Sequence, residues 1–207
     1  MFKKFKLAGN TSGAIRSDAE MEKINKEEAD KAFKVQKELL DYYLSEKGFF
    51  KYKTNAYIRR NKVDALEYID IQKEKYGSKT FTVNYALIPL YVPHEFLSFD
   101  LGDRLGKLIC NKDVWWDYAE DHMASISFQN VIDAMEKFLL PWFERCSDDD
   151  GIKTALLKEK KEREKYGCRL SNTQQAWLDT IDNHDDCDEI IRENIKIFKL
   201  PAKMVGF

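Results

Sequence analysis

The spacing of apolar residues predicts a long helix near the start of the chain. Ser17 and Glu20 have the spacing of a capping box, in which each side chain bonds to the other residue's backbone amide. Apolar and neighbouring residues then recur at helical period: Ala32, Val35, Leu39 and Tyr42, with Gln36, Leu40 and Tyr43 beside them. We expect this back half to pack on the domain. Gly48 should end the helix, because glycine accepts the left-handed turn.

Residues 49–92 change to an alternating pattern that is typical of strands. Aromatic and β-branched residues dominate four runs: Phe49–Tyr52, Ala56–Arg59, Leu66–Gln72 and Thr80–Tyr91. The breaks between the runs are short enough for hairpins, so neighbouring strands should pair antiparallel as a meander. A longer link leads to Arg104–Ile109, which we interpret as a fifth strand or a bent edge of the sheet.

The clearest amphipathic helix runs from Phe128 to Trp142, with apolar residues at offsets 0, 3, 4, 7, 10, 11 and 14. Ser125 or Ser127 should open this helix. Pro141 should end or kink it, because proline has no amide hydrogen to donate. Beyond Cys146 the chain is polar and rich in helix caps, which predicts further short helices.

These patterns together predict an α+β fold. An antiparallel sheet of four to six meandering strands should pack against the long N-terminal helix and the second amphipathic helix, with a C-terminal helical annex. We divide the chain into a flexible basic lead (residues 1–17), an α+β domain (residues 18–146) and the annex (residues 147–207).

Composition narrows the classes of function. Lys and Arg number 34 against 36 Asp and Glu, a net charge of −2, so no overall field favours nucleic acid or an anionic membrane. No apolar stretch approaches the length of a membrane span, and no signal-peptide core follows the basic first residues. The four cysteines stand far apart without a CxxC pair, which fits reduced thiols. We therefore expect a cytoplasmic protein.

Alternation along the strands also predicts a candidate binding surface. In the fourth strand Thr82 and Asn84 lie opposite the apolar face, and in the third Asp70 and Gln72 do so. The second strand is ambiguous, because either Tyr57 with Arg59 or Ile58 with Arg60 could share that polar face. The candidate binding residues are Tyr57, Arg59, Gln72, Lys73, Asn84, Arg104, Trp115 and Trp116. The alternative is an ordinary solvated outer face of an antiparallel sheet.

Other constellations give weaker signals. The pair Trp115 and Trp116 lies in a predicted loop, and both rings can be structural. His122 follows Asp121, but adjacent residues do not share one face of a helix or strand. The acidic stretch 179–189 lacks the ligand order of a calcium loop. We assign no catalytic residue, no metal ligand and no cofactor, since the common nucleotide and hydrolase motifs are absent.

Several short motifs together resemble bacterial proteins grouped as domain of unknown function 4304. They are Lys47-Gly48-Phe49, Asn55-x-Tyr57-x-Arg59, Ile69-x-Ile71-Gln72-Lys73, Phe81-Thr82-Val83-Asn84, Arg104-Leu105-Gly106 and Asp113-x-Trp115-Trp116. The resemblance spans about residues 30–143, and its most specific part is Gln-Lys placed before the Phe-Thr-x-Asn strand. It implies a fold and a bacterial cytoplasmic setting, and no established activity comes with it.

Two hypotheses for function follow. The first is a non-catalytic binding or regulatory module with a protein partner, in one version an immunity-type protein that masks a toxin. The second is an enzyme with an unrecognised polar pocket for a small anionic substrate. In that case Arg59 and Arg104 would hold the anion, and Asp70 or His122 would move a proton. The oligomeric state is not predicted.

Overall fold

The computed structural model describes residues 18–184 and 187–201. In chain order, one long helix is followed by most of the strands and then by the other helices. The α-helices are α1 Asp18–Glu46, α2 Leu105–Cys110, α3 Asp121–Ala134, α4 Leu140–Arg145, α5 Asp149–Glu164, α6 Asn172–Thr180 and α7 Asp188–Phe198. The strands are β1 Phe50–Lys53, β2 Ala56–Arg60, β3 Ala65–Lys73, β4 Thr80–Pro89, β5 Leu101–Arg104 and β6 Trp116–Asp117. The predicted basic lead over residues 1–17 lies outside the described residues.

The strands form one antiparallel sheet in the order β1-β2-β3-β4-β5, with β6 pairing beside β5 on the same edge of β4. The predicted meander and the α+β fold class are therefore confirmed. The β2–β3 turn is closed by Asn61, whose Oδ1 accepts hydrogen bonds from the amides of Val63 and Ala65. No helix in the described ranges is both long enough and apolar enough to cross a bilayer.

The register gives the sheet two distinct faces. Ile69 pairs with Tyr85 and Ile71 with Val83, so these apolar side chains share the face that we call the covered face. Asp70 pairs with Asn84, whose side chains therefore lie on the second face. The predicted alternation of β3 and β4 is confirmed.

Helices α1 and α3 pack on the covered face through aromatic rings. The ring of Phe33 on α1 lies 5.5 Å from that of Phe81 on β4, 5.3 Å from Phe128 on α3 and 4.9 Å from Tyr118. These edge-to-face contacts join the two helices to one end of the sheet.

The predicted packing stripe of α1 is right for Ala32 and Leu40 and wrong for its exposed members. The side chains that enter the core are Ala29, Ala32, Phe33, Leu40 and Leu44. Val35, Leu39 and Tyr42 instead lie on the exposed side of the helix. The helix carries two apolar stripes, and the one with Phe33 faces the sheet because that ring fits the aromatic cluster on β4 and α3. The predicted end of the helix is confirmed, since Gly48 has a φ of 81°.

Two further boundaries differ from the prediction. The fifth strand lies at residues 101–104, and residues 105–110 are helical, since Leu105, Leu108 and Ile109 have helical spacing. Helix α3 begins at Asp121, four to six residues before the predicted start. Met135–Leu139 then form a π-helical turn that ends two residues before Pro141, where proline removes one hydrogen-bond donor.

The C-terminal helices are tied to the rest of the molecule by buried polar contacts. Asn194 on α7 donates from Nδ2 to the carbonyls of Leu90 and Val92 at 2.7 Å each. Trp177 on α6 is fully buried and donates to the hydroxyl of Tyr91 at 2.7 Å. These bonds hold the β4–β5 connection, residues 90–100, against the annex.

The annex also closes one half of the second face of the sheet. Ile58, Leu66 and Ile88 on that face are fully buried. Tyr52 on β1 donates to the carbonyl of Phe198 at the end of α7 at 2.5 Å. The other half of this face, around the Asp70 and Asn84 pair, stays partly exposed, and we call it the open half.

Candidate functional site

Three polar side chains form a bonded row across the open half. Asn84 on β4 donates from Nδ2 to Oδ2 of Asp70 at 3.2 Å and to Oε1 of Gln72 at 3.1 Å. The row exists because Asp70 and Asn84 are cross-strand partners, while Gln72 lies two positions along the same face of β3. All three residues remain partly exposed to solvent.

Arg104 adds a positive charge at the edge of this row. Its backbone pairs with Asn84 across β4 and β5, so its side chain lies on the same face. Its Nη1 donates to Oδ2 of Asp113 at 2.9 Å, and the guanidinium lies 5.3 Å from the ring of Trp115. Lys107 approaches the same carboxylate at 3.6 Å. The guanidinium is thus oriented by one ion pair and one ring, with further N–H donors left over.

A hollow of about 270 Å³ lies over the row. Its lining is Gln72, Asn84, Tyr85, Phe99, Gly102, Asp103 and Arg104. Gly102 allows β5 to lie close to β4, because a Cβ there would collide with the backbone carbonyl of Tyr85. Phe99 stands at the rim, 52% exposed, and its ring packs edge-on to Tyr68 at 5.0 Å.

The row has a defined electrostatic character. Burial raises the pKa of Asp70, and the hydrogen bond from Asn84 acts in the opposite direction on that pKa. Asp70 and Asn84 offer acceptor oxygens, while the Gln72 amide and the Arg104 guanidinium offer donors. An incoming group with both donors and acceptors, such as an amide, matches this pattern.

The structure brings together only four of the eight predicted binding residues: Gln72, Asn84, Arg104 and Trp115 lie on the open half. The prediction of one shared surface is wrong for Tyr57 and Arg59, whose side chains lie on the covered face. Tyr57 is 1% exposed and donates its hydroxyl to Asp41 on α1.

Arg59 is held in the same way by the covered face. Its Nε donates to Oε2 of the buried Glu67 at 2.5 Å, and its Nη1 donates to the carbonyl of Lys47 at 2.6 Å. The guanidinium also lies 4.4 Å from the ring of Phe49. Ala56, Ile58 and Arg60 are the residues of β2 that face the other way.

Lys73 and Trp116 also lie on the covered face. Lys73 pairs with Phe81 in the sheet, and its ammonium contacts Asp30 on α1 at 2.8 Å and the ring of Phe33 at 4.0 Å. Trp116 is a strand residue rather than the predicted loop residue, and its ring packs on that of Phe81. Partners distant in sequence decided the face of all four residues.

Sequence reasoning missed Phe99 at the rim of the site and Gly102 beside it. Phe99 lies in the β4–β5 connection, where no periodicity indicates which way a side chain points. No sequence signal distinguishes this ring, because much of the connection is apolar. Gly102 is not among the predicted site residues because the fifth strand is predicted to begin at Arg104, whereas it begins at Leu101.

The residues named for the enzyme hypothesis do not meet at this hollow. Arg59 and Arg104 lie on opposite faces of the sheet, and His122 lies on α3, which packs on the covered face. Within residues 18–184 and 187–201, no group of three or more His, Cys, Asp or Glu side chains could hold a metal ion.

Comparisons with known proteins give one match. A family model matches residues 40–145, just over half of the chain. This range includes the whole sheet and no part of the annex. No curated protein and no solved structure matches the chain. The chain therefore belongs to the family described as Domain of unknown function (DUF4304).

Proposed function

We propose that the chain is a non-catalytic binding module whose open half receives a polypeptide segment of a protein partner. The observation that carries this proposal is the bonded row of Asp70, Gln72 and Asn84, which combines exposed donors and acceptors beside the oriented guanidinium of Arg104.

The composition of the rim supports a protein partner over a small ligand. Arginine and large aromatic residues dominate the energetically important part of protein interfaces. Here Arg104 lies near the ring of Trp115, which is 38% exposed, and lines the hollow together with Phe99. A hollow of about 270 Å³ fits one or two side chains of a partner, flanked by amide groups that can pair with the row.

The setting proposed for this activity is the bacterial cytoplasm, with the annex of residues 147–207 serving as a support that closes the remaining half of the face. An immunity-type role, in which the chain masks a toxin, is one form of such binding. Its support is an analogy of fold class, because small α+β domains often act as binding partners.

The experiment is quantitative capture of partners from a lysate of the source cells by the full chain, followed by an affinity measurement with the purified partner. Arg104→Ala and Phe99→Ala should each lower affinity about tenfold or more, because they remove the oriented cation and the rim ring. Arg169→Ala and Tyr166→Ala are matched controls, since both residues are exposed and lie beyond α5, away from the site.

The two results that matter differ clearly. Loss of the same partner with both site variants, and capture unchanged with both controls, supports the open half as the binding surface. Capture that persists with Arg104→Ala, Phe99→Ala and their combination contradicts the proposal. Cross-links from Lys107 to the partner would place the contact beside the hollow independently.

A further inference from the structure

Asp70 fixes the direction of the hydrogen bonds in the row on the open half. A carboxylate accepts hydrogen bonds and donates none, so Asn84 turns its Nδ2 towards Oδ2 of Asp70, at 3.2 Å. The same Nδ2 donates to Oε1 of Gln72 at 3.1 Å. Both N–H donors of the Asn84 amide are therefore used within the row.

This direction decides which atoms of the two amides remain for a ligand. Gln72 uses its oxygen in the row, so its Nε2 keeps both N–H donors, and an amide whose oxygen accepts a bond is a stronger donor. Asn84 uses its nitrogen, so its Oδ1 keeps its capacity to accept. Within residues 18–184 and 187–201, no hydrogen bond involves Nε2 of Gln72 or Oδ1 of Asn84.

Arg104 adds donors on the neighbouring strand. Its backbone pairs with Asn84, so its side chain starts beside the Asn84 amide on the same face of the sheet. Only Nη1 is bonded, to Asp113 at 2.9 Å, which leaves most of the five N–H groups of the guanidinium. Because the strand order is β3-β4-β5, a group in the hollow meets donors from Gln72 and Arg104 with the acceptor of Asn84 between them.

The charges around the hollow disfavour an ionised ligand of either sign. The residues with charge beside it are Asp70, Asp103, Asp113, Arg104 and Lys107. Since Asp113 pairs with both cations, an added carboxylate would increase an excess of negative charge. An added cation would instead face the N–H groups of Gln72 and the guanidinium of Arg104, which cannot accept a hydrogen bond from it.

We propose that the hollow receives the side-chain amide of an asparagine or glutamine residue of the partner, an inference that rests on the proposed function. The oxygen of this amide accepts from Nε2 of Gln72 and from the guanidinium of Arg104, and its nitrogen donates to Oδ1 of Asn84. The methylene groups that carry the amide pack beside Phe99 at the rim. A neutral amide satisfies donors and acceptor together and adds no charge.

Selectivity for the amide over a carboxylate depends on Asn84. Glutamate has nearly the shape of glutamine, but its second oxygen would face Oδ1 of Asn84, so two acceptors would meet without a hydrogen atom between them. A site that hydrogen-bonds one group rejects a similar group that lacks the matching donor. We expect a preference for glutamine over glutamate of about tenfold or more.

The test uses three small probes that differ only in their side chain: the N-acetyl methylamides of glutamine, glutamate and lysine. All three carry the same backbone amides, so a difference in affinity reports on the side chain alone. Binding is measured by NMR titration of the side-chain NH₂ resonances of Gln72 and Asn84 in the full chain at neutral pH. The glutamine probe should shift both resonances with a dissociation constant on the order of 1–10 mM, and the other two should bind about tenfold more weakly.

A substitution in the row checks the assignment from the side of the protein. Gln72→Glu keeps an oxygen that accepts from Asn84 but loses the N–H donors, so it should weaken binding of the glutamine probe about tenfold. Gln129→Glu on the exposed side of α3 is the matched control and should bind the probe as the original chain does. Equal affinities for the glutamine and glutamate probes, tighter binding of the lysine probe, or no saturable shift with any probe up to about 100 mM overturns the inference.

The partner, once captured, separates this inference from the proposed function. A partner that binds through Arg104 and Phe99, but keeps its affinity when each asparagine and glutamine at the contact is replaced by alanine, contradicts the inference and leaves the proposed function standing. Selective binding of the glutamine probe by a chain whose captured partners ignore Arg104→Ala and Phe99→Ala supports the chemistry of the hollow and contradicts the proposed function.

Discussion

The two faces of the sheet treat similar polar residues in opposite ways. On the covered face Arg59 binds a buried carboxylate and a helix-end carbonyl, and Lys73 binds Asp30 on α1. On the open half Asn84 binds Asp70 and Gln72 of the neighbouring strand, and part of the hydrogen-bonding capacity of the row faces solvent. Both faces contain an arginine stacked near an aromatic ring, at 4.4 Å for Arg59 and 5.3 Å for Arg104.

The two faces differ in the elements that cover them. Helix α1 brings Asp30 and Asp41 down onto the covered face, so polar groups there join the helix to the sheet. No helix supplies such partners at the described open half, where the neighbours are the exposed rings of Phe99 and Trp115. Removing a polar residue should therefore cost stability on the covered face and binding on the open half.

The largest effect is expected for Arg59→Ala. This change leaves Glu67, whose side chain is 4% exposed, without its ion-pair partner. The free energy of unfolding at neutral pH should fall by about 3–5 kcal/mol, measured by urea denaturation. Burial already raises the pKa of Glu67, and loss of the cation raises that pKa further. Because protonation removes the unpaired charge, the deficit should shrink as the pH falls towards about 4.

The matched comparison is Arg104→Ala on the open half. Its partner Asp113 is 43% exposed, so water can replace the lost ion pair. The free energy of unfolding should change by no more than about 1 kcal/mol. Equal losses for the two arginine variants would contradict the distinction between the faces.

These contrasts also show how far the sequence could lead. The period of two in β3 and β4 was sufficient to place Asp70, Gln72 and Asn84 on one face, because each strand is long and one side is consistently apolar. The five residues of β2 gave no such decision, since both alternations offer one large side chain and one arginine.

The choice for β2 depended on residues distant in sequence. Tyr57 faces α1 because Asp41 on that helix accepts its hydroxyl hydrogen bond. Arg59 lies on the same face, where Glu67 on β3 is its cross-strand partner. The orientation of α1 could not be predicted for a similar reason. The helix has two apolar stripes, and only the contact of Phe33 with Phe81 on β4 shows which stripe faces the sheet. The period of a sequence predicts which side chains share one face, whereas contacts with distant residues decide which way that face points.

The next largest effect concerns the connection that carries Phe99 to the rim of the open half. Asp100 is buried, its Oδ2 has no hydrogen-bond partner among the described residues, and His94 lies 3.8 Å away. Burial raises the pKa of Asp100 to about 7. A folded-state pKa above the unfolded value means that the fold favours the neutral acid, and this stability is lost as pH rises from about 4 to 7.

Asp100→Asn should remove that loss, because asparagine keeps the shape without the charge. At about pH 8 the variant should be more stable than the original chain by roughly 2–4 kcal/mol, and at about pH 4 the two should be nearly equal. Burial lowers the pKa of His94, which opposes folding at acid pH in both chains and cancels from the difference. Glu95→Gln, which removes an exposed carboxylate from the same connection, is the control and should not stabilise the chain at about pH 8.

The smallest effect tests the row itself. Asn84→Ala removes the two bonds to Asp70 and Gln72, and should lower the free energy of unfolding by about 1 kcal/mol. The hydrogen bond from Asn84 lowers the pKa of Asp70, whereas burial raises it, so loss of the bond should raise the pKa further. NMR titration of the Asp70 carboxyl carbon measures this change. The cost should therefore be greater at neutral than at acid pH. Asn130→Ala on the exposed side of α3 should leave the pKa of Asp70 unchanged, and an unchanged value in Asn84→Ala as well would mean that the row does not exist in solution.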